Sequence, residues 1–199
     1  MTESSLIIKN HSDTLLISFA GYETVYGGIP HFDFLNFLQK NFATIDKHFY
    51  VDKYRDSYHK GIEGISETID ETLVYLKKEI EPYKNVIFIG ISSGGYAAIL
   101  FGSILQVTSI VAFIPQTIRR ATFVDEKYRD SSRYINLTTN YYLYADLSVE
   151  DAKDPHHVSH CDRISFYPNV KVIKKDTFNI KQIRDNGELY EMLSQIINK

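Results

Sequence analysis

The chain has 199 residues, a formal net charge of −3 and 44% apolar residues, which is the composition of an ordinary globular protein. The negative charge argues against nucleic-acid binding, and no apolar run approaches the ~20 residues that a membrane span needs. We expect one domain over residues 1–199. The lone cysteine, Cys161, and the absence of a visible signal peptide predict a cytoplasmic protein without disulfides.

Short apolar runs recur along the chain, and several are continuous rather than alternating. Continuous runs are typical of central strands that are covered on both faces of a sheet. The runs predict seven strands, over residues 6–9, 15–19, 48–52, 86–91, 109–114, 141–145 and 170–174.

Helical patterns lie between these runs. They predict a helix after Asp33, a helix that Ser66 caps and Pro82 ends, an apolar helix over residues 93–105, and a last helix that carries Leu189. Strands that alternate with helices indicate an α/β fold, with a mostly parallel twisted sheet flanked by helices in a three-layer sandwich.

Ligands of such sheets bind beyond the carboxyl ends of the strands. This rule selects four loops as the candidate site, namely residues 20–31, 53–64, 92–95 and 146–160.

The fourth of these runs, residues 86–91, leads into Gly90-Ile91-Ser92-Ser93-Gly94, which matches G-x-S-x-G between a strand and a helix. A serine on so sharp a turn needs small residues two positions before and after it, and Gly90 and Gly94 meet that need. The pattern predicts Ser92 as a nucleophile and the Ser93 N–H as an oxyanion donor at the helix start. A phosphate-binding loop is disfavoured because no Gly-Lys-Ser/Thr follows.

The segment "VIFIGISSGGYAAILFG", followed by "VAFIPQT", resembles the α/β-hydrolase superfamily, and in particular small lid-poor esterase-like proteins associated with glycan modification. The resemblance implies a second oxyanion N–H from the "FAGYE" loop, at Gly21 or Tyr22. It also implies an acid after a late strand and a histidine after the last strand. In the segment "KYRDSYHKGIEG", the resemblance makes His59 a substrate contact, with an exposed loop histidine as the alternative.

The sequence departs from this pattern at its histidine. None follows His160, and Phe178 stands near the expected position. Three histidines lie one loop earlier, and of His156, His157 and His160 we favour His157 as the base. Asp154 or Asp151 would orient its ring.

Two other interpretations of this loop stay open. In the first, Asp154 caps a polar helix start whose surface carries the histidines. In the second, His156 or His157 binds zinc together with His160, but no third ligand is evident, so we predict no metal.

The sequence therefore favours a serine hydrolase of the esterase or acyl-transfer type, acting through Ser92 on a small or glycan-borne ester without a cofactor. The alternative is a non-catalytic relative that binds a glycan or a partner protein and has lost its base. A Phe178 ring packed over Ser92, with no histidine in reach, would favour that alternative.

Overall fold

A computed structural model of the chain describes residues 4–22, 25–26, 29–119 and 124–198. Part of the expected loop 20–31 thus lies outside the described residues. The main sheet has seven strands in the order β1-β5-β2-β6-β7-β8-β9. They are β1 (Ser5–Ile8), β2 (Thr14–Phe19), β5 (Asp46–Tyr50), β6 (Asn85–Ile91), β7 (Ser109–Phe113), β8 (Asn140–Asp146) and β9 (Val170–Lys175). A two-stranded hairpin of β3 (Val25–Tyr26) and β4 (Ile29–Pro30) stands apart.

All strand pairs of the main sheet are parallel except that of β1 with β5. The seven predicted strands are therefore confirmed to within a few residues at their ends. The helices between them are α1 (Leu35–Asn41), α2 (Ile69–Ile80), α3 (Ser93–Leu105), α4 (Ser159–Asp162), α5 (Ile180–Asp185) and α6 (Glu188–Ile197), with a 3₁₀ turn at Ser131–Tyr134.

The sheet is buried on both faces, which explains its continuous apolar strands. Helices α2 and α3 cover one face, where α3 packs with Phe19, Phe88 and Ala112. Helices α1, α5 and α6 cover the other face, over a core that includes Ile89 and Phe113. This three-layer α/β sandwich confirms the predicted fold class and brings the carboxyl ends of β2, β6, β7 and β8 to one edge.

Two helix starts differ from the prediction. Thr68, not Ser66, caps α2, because the Thr68 hydroxyl accepts the N–H of Glu71 at 3.1 Å. The Ser66 hydroxyl instead accepts the N–H of Ile62 at 2.9 Å. No helix begins at Asp154; its carboxylate closes a tight turn on the N–H of His156, and the short α4 begins only at Ser159.

Within the part of the chain that the model describes, no helix is both long enough and apolar enough to cross a bilayer.

Candidate active site

Ser92 lies at the turn between β6 and α3, as the motif predicts. Its backbone is strained, with φ at 54° and ψ at −116°, outside the regions that a serine favours. The Ser92 N–H donates to the carbonyl of Phe113 at 2.9 Å, which ties the turn to the neighbouring strand. The turn therefore presents the Ser92 hydroxyl at the carboxyl edge of the sheet.

The glycines on either side of Ser92 permit this turn because the chain folds back on itself there. A Cβ on Gly90 would overlap the carbonyl oxygen of Gly94, and a Cβ on Gly94 would overlap the carbonyl oxygen of Phe19. Both contacts are with backbone atoms, which cannot move aside. The second contact also sets the start of α3 against the end of β2, from which the loop at Gly21 departs.

His156 is the histidine that the structure places at the elbow. Its Nε2 lies 2.8 Å from Ser92 Oγ, a hydrogen-bond distance. For Nε2 to accept the serine proton, the neutral ring must carry its own proton on Nδ1. His156 is 34% exposed, so solvent and substrate can reach the pair.

The other two histidines of this loop point elsewhere, which corrects our expectation that His157 approaches Ser92. The Nδ1 of His157 lies 2.8 Å from the hydroxyl of Ser159. The buried His160 accepts the Thr117 N–H on its own Nδ1 at 3.0 Å. Successive side chains of one turn point in different directions, so a single histidine of the three faces Ser92.

Two carboxylates lie near His156. An Asp154 oxygen is 3.7 Å from His156 Nδ1, beyond hydrogen-bond range, and the same oxygen accepts the backbone N–H of His156 at 2.7 Å. Asp146 ends β8. Burial acts to raise the Asp146 pKa, but hydrogen bonds from Ser148 and Phe178 and the charge of His156 lower it below its ordinary value. The carboxylate of the exposed Asp151 accepts the Lys153 N–H at 2.9 Å.

The expected oxyanion donors differ in whether their N–H groups are available to a ligand. Ser93 is buried at the start of α3, and the Ser92 side chain does not cap the helix, so the first-turn N–H groups stay available to a ligand. The Gly21 N–H, in contrast, donates to an Asp33 oxygen at 2.9 Å. Gly21 therefore cannot supply the second oxyanion N–H in this arrangement, which leaves Tyr22 as the candidate in this loop.

His156, not Phe178, lies at hydrogen-bond distance from the Ser92 hydroxyl. The half-buried Phe178 packs against the core on the α5 and α6 side of the sheet, with its ring 6.0 Å from the ring of Phe113. The arrangement that would favour a protein without a base is therefore not the one observed.

His59 is not an exposed loop residue. It is 9% exposed, and its ring stacks on Tyr96. Its Nδ1 accepts the Asp125 N–H, so Nε2 carries the proton that it donates to the Tyr96 hydroxyl at 3.0 Å. Burial lowers the His59 pKa to about 4, so the ring is neutral at pH 7. These contacts tie the His59 ring to Tyr96 on α3 and to the backbone at Asp125.

Nothing in the described part of the chain forms a cluster of three or more histidine, cysteine, aspartate or glutamate side chains that could hold a metal ion. His160, which a zinc site would need, holds the Thr117 backbone instead.

Sequence patterns do not single out two residues of this site. His156 and His157 are neighbouring candidates, and only the turn closed by Asp154 distinguishes them. For Asp33, the sequence predicts only that a helix follows it. A hydrogen bond between Asp33 and Gly21 joins positions 12 residues apart, and no local pattern signals it.

Known structures share this architecture. The capsule O-acetyltransferase of Neisseria meningitidis serogroup A superposes with a TM-score of 0.66 at 13% identity, over 96% of this chain and 90% of that one. An esterase of Pyrococcus furiosus gives 0.64 at 18%, over 98% and 86%. Est1E of Butyrivibrio proteoclasticus, with ferulic acid bound, gives 0.60 at 11%, over 98% and 95%.

No family model and no curated protein sequence matches the chain. The structural likeness covers nearly the whole chain and shows its fold. The chain has the α/β fold of these proteins, with Ser92 at the elbow between a strand and a helix. Within that fold, Ser92 and His156 form its candidate catalytic pair.

Proposed function

We propose that this protein is a serine-dependent acyl hydrolase or acyltransferase that acts on a small or glycan-borne ester. The observation that carries the proposal is the 2.8 Å distance between Ser92 Oγ and His156 Nε2, on a strained turn at the ligand-binding edge of the sheet. A serine hydroxyl is a weak nucleophile unless a base removes its proton, and His156 is placed to do so.

The reaction follows from this geometry. Ser92 Oγ attacks the ester carbonyl carbon while its proton passes to His156 Nε2. The N–H groups of Ser93 and Tyr22 stabilise the oxyanion that forms. The intermediate collapses to an acyl-Ser92, and the departing alcohol takes the proton from His156. Water, or the hydroxyl of an acceptor, then gives its proton to His156 while its oxygen attacks the acyl carbon. The bond from that carbon to Ser92 Oγ breaks, and Oγ takes the proton back from His156, which restores the free enzyme.

Asp154 is the carboxylate that we assign to His156. It holds the backbone N–H of His156, and its oxygen lies 3.7 Å from Nδ1. A small change of the Asp154 side chain would bring the two into hydrogen-bond distance. The negative charge would stabilise the imidazolium that forms during each proton transfer.

The substrate class rests on the open site. The His156 side chain beside Ser92 is 34% exposed, so a polar, accessible ester suits the site better than a buried lipid chain. One similar fold is a capsule O-acetyltransferase and another holds ferulic acid, and these likenesses support carbohydrate hydroxyls and aromatic acid esters as first compounds to test.

A fluorophosphonate probe tests the nucleophile directly. Wild-type protein should be labelled, Ser92→Ala should not, and Ser93→Ala should keep the label because only its backbone N–H has a role. Peptide mass spectrometry then assigns the modified serine. An unlabelled wild type, or a label that persists in Ser92→Ala, would contradict the proposal. Release of p-nitrophenol from p-nitrophenyl acetate, with and without a sugar acceptor, separates hydrolysis from transfer.

A further inference from the structure

Asp33 has an unusual place for a carboxylate next to a catalytic loop. One of its oxygens accepts the Gly21 N–H at 2.9 Å. Burial raises the Asp33 pKa above its ordinary value. The Gly21 hydrogen bond and the charge of His31, whose Nε2 is 4.0 Å away, act in the opposite direction and lower it. A carboxylate that is desolvated in this way needs a reason to be retained, since an apolar residue would avoid the cost.

The partner of Asp33 lies directly beside the nucleophile turn. A Cβ on Gly21 would be 3.0 Å from the carbonyl oxygen of Ile91, the residue before Ser92. The chain at Phe19 and Ala20 in turn packs against Gly94, two residues after Ser92. The segment that Asp33 holds is therefore in contact with both sides of the elbow.

Asp33 itself is held from the other side. The Ser18 hydroxyl donates to the Asp33 carbonyl at 2.9 Å. The next residue, Phe34, adopts a left-handed conformation with φ at 65°, which a bulky residue rarely does, and its ring packs 5.6 Å from Phe113. Strain of this kind persists only where surrounding contacts enforce it, and here it fixes the carboxylate that faces Gly21.

We infer that Asp33 is a positioning residue for the oxyanion hole: by holding the Gly21 N–H it orients the next peptide so that the Tyr22 N–H, with that of Ser93, faces the acyl carbonyl. The inference rests on the proposed function of Ser92. It explains why the glycine of the "FAGYE" loop is not itself a donor, and it assigns a role to a half-buried carboxylate outside the catalytic pair.

The side chain of Asp33 can be removed without cutting into a closed core. It lines a cavity of about 360 Å³ together with Phe34, Ile91 and the exposed Asn36. Truncation at position 33 therefore enlarges an existing space and frees the Gly21 N–H. Asn36 lines the same cavity and serves as the matched control.

The test measures kcat and KM for p-nitrophenyl acetate. Asp33→Ala should lower kcat about 10- to 100-fold, less than the roughly 10²–10³-fold that follows loss of an oxyanion donor itself, with KM nearly unchanged. Asp33→Asn should restore most of kcat, because its side-chain oxygen can accept the same N–H. Asn36→Ala should match wild type. If Asp33→Ala does not fold, Asp33→Leu, which lacks an acceptor but fills the space, replaces it.

An amide NMR spectrum reports on the hydrogen bond between Asp33 and Gly21 independently of catalytic activity. The Gly21 proton should move upfield in Asp33→Ala and stay near its wild-type position in Asp33→Asn. An unchanged kcat in Asp33→Ala, or equal losses of kcat in Asp33→Ala and Asp33→Asn, would overturn the inference about Asp33. The proposed function would still hold in either case if wild-type turnover depends on Ser92. Absence of any Ser92-dependent turnover would overturn both.

Discussion

Ser92 Oγ is 2.8 Å from Nε2 of His156, while the ring of the adjacent His157 turns away to the hydroxyl of Ser159. The difference arises in one short turn. Asp154 accepts the N–H of His156, and the N–H of His157 donates to the carbonyl of Asp154 at 3.2 Å. The turn thus points the two neighbouring imidazoles in different directions.

His156→Ala should remove most of the esterase activity, with kcat falling by about 10²–10⁴-fold, the usual contribution of a general base. His157→Ala is the matched control, since it removes the same group from the next position, and it should keep kcat within a few-fold of wild type. Steady-state hydrolysis of p-nitrophenyl acetate gives both values. A larger loss in His157→Ala than in His156→Ala would show that the loop rearranges before catalysis.

The fold and the strained turn at Ser92 could be predicted from the sequence, because both depend on local patterns. Apolar runs mark strands buried on two faces, and Gly90 and Gly94 mark a turn that only glycines allow. The choice of base could not be predicted in the same way. It depends on which carbonyl and N–H groups pair in the loop of residues 147–158, between β8 and α4. The acid is equally open, because Asp154 and Asp151 are equivalent candidates in the sequence.

The oxyanion loop shows the same limit. The resemblance implied Gly21 or Tyr22 equally, and the distinction comes from Asp33, which contacts Gly21 only after the loop between them has folded. The cap of α2 is a smaller case. Ser66 and Thr68 are both good caps, but the Ser66 hydroxyl is already used by Ile62.

Gly94→Ala should destabilise the protein by a few kcal/mol and reduce labelling of Ser92, because the new Cβ overlaps the backbone carbonyl of Phe19. Gly187→Ala is the control. Its Cβ would meet no atom within 4 Å, although φ there is +87°, so its cost should be the smaller one of a left-handed alanine. Urea denaturation measures both. Equal unfolding free energies for the two variants would refute the steric account of the elbow.

Stability should depend on pH through His48, which is fully buried in β5. Burial lowers the His48 pKa to about 4, with a further lowering by Lys9 and an opposing effect of Asp46. Its Nδ1 faces the hydroxyl of Tyr50 at 3.3 Å and Glu79 at 3.5 Å. The folded state therefore holds the neutral ring, and the unfolded chain binds a proton more readily.

The direction in which stability changes with pH follows from this difference between the folded and unfolded states. Because the unfolded state takes up the proton first, acidification from about pH 6.5 towards pH 4 favours unfolding, and stability rises again with pH over the same window. The contribution of His48 is at most about 3 kcal/mol. Asp33 and Asp52, whose pKa values burial raises, act in the opposite direction, so the slope of wild type alone is not diagnostic.

The comparison of wild type with His48→Gln isolates this histidine. Unfolding free energies from urea titrations at several pH values between 4.5 and 7 should fall more steeply with acid in wild type than in the variant. Parallel curves would show that the ring is protonated in the folded protein without penalty.

Asp154 should contribute to catalysis through its charge as well as through the turn that it closes. Asp154→Asn keeps an oxygen that can accept the His156 N–H, so the turn should survive, but the variant lacks the charge that stabilises the imidazolium. We expect kcat to fall by about tenfold or more while the melting temperature stays close to that of wild type, a split that a purely structural role would not give. Asp151→Asn, which changes an exposed carboxylate of the same loop that contacts the Lys153 N–H, is the matched control and should retain kcat.

Asp146→Asn completes the set, because the charge of His156 also acts on Asp146. A full rate in Asp154→Asn together with a large loss in Asp146→Asn would move the acid of the triad to the end of β8.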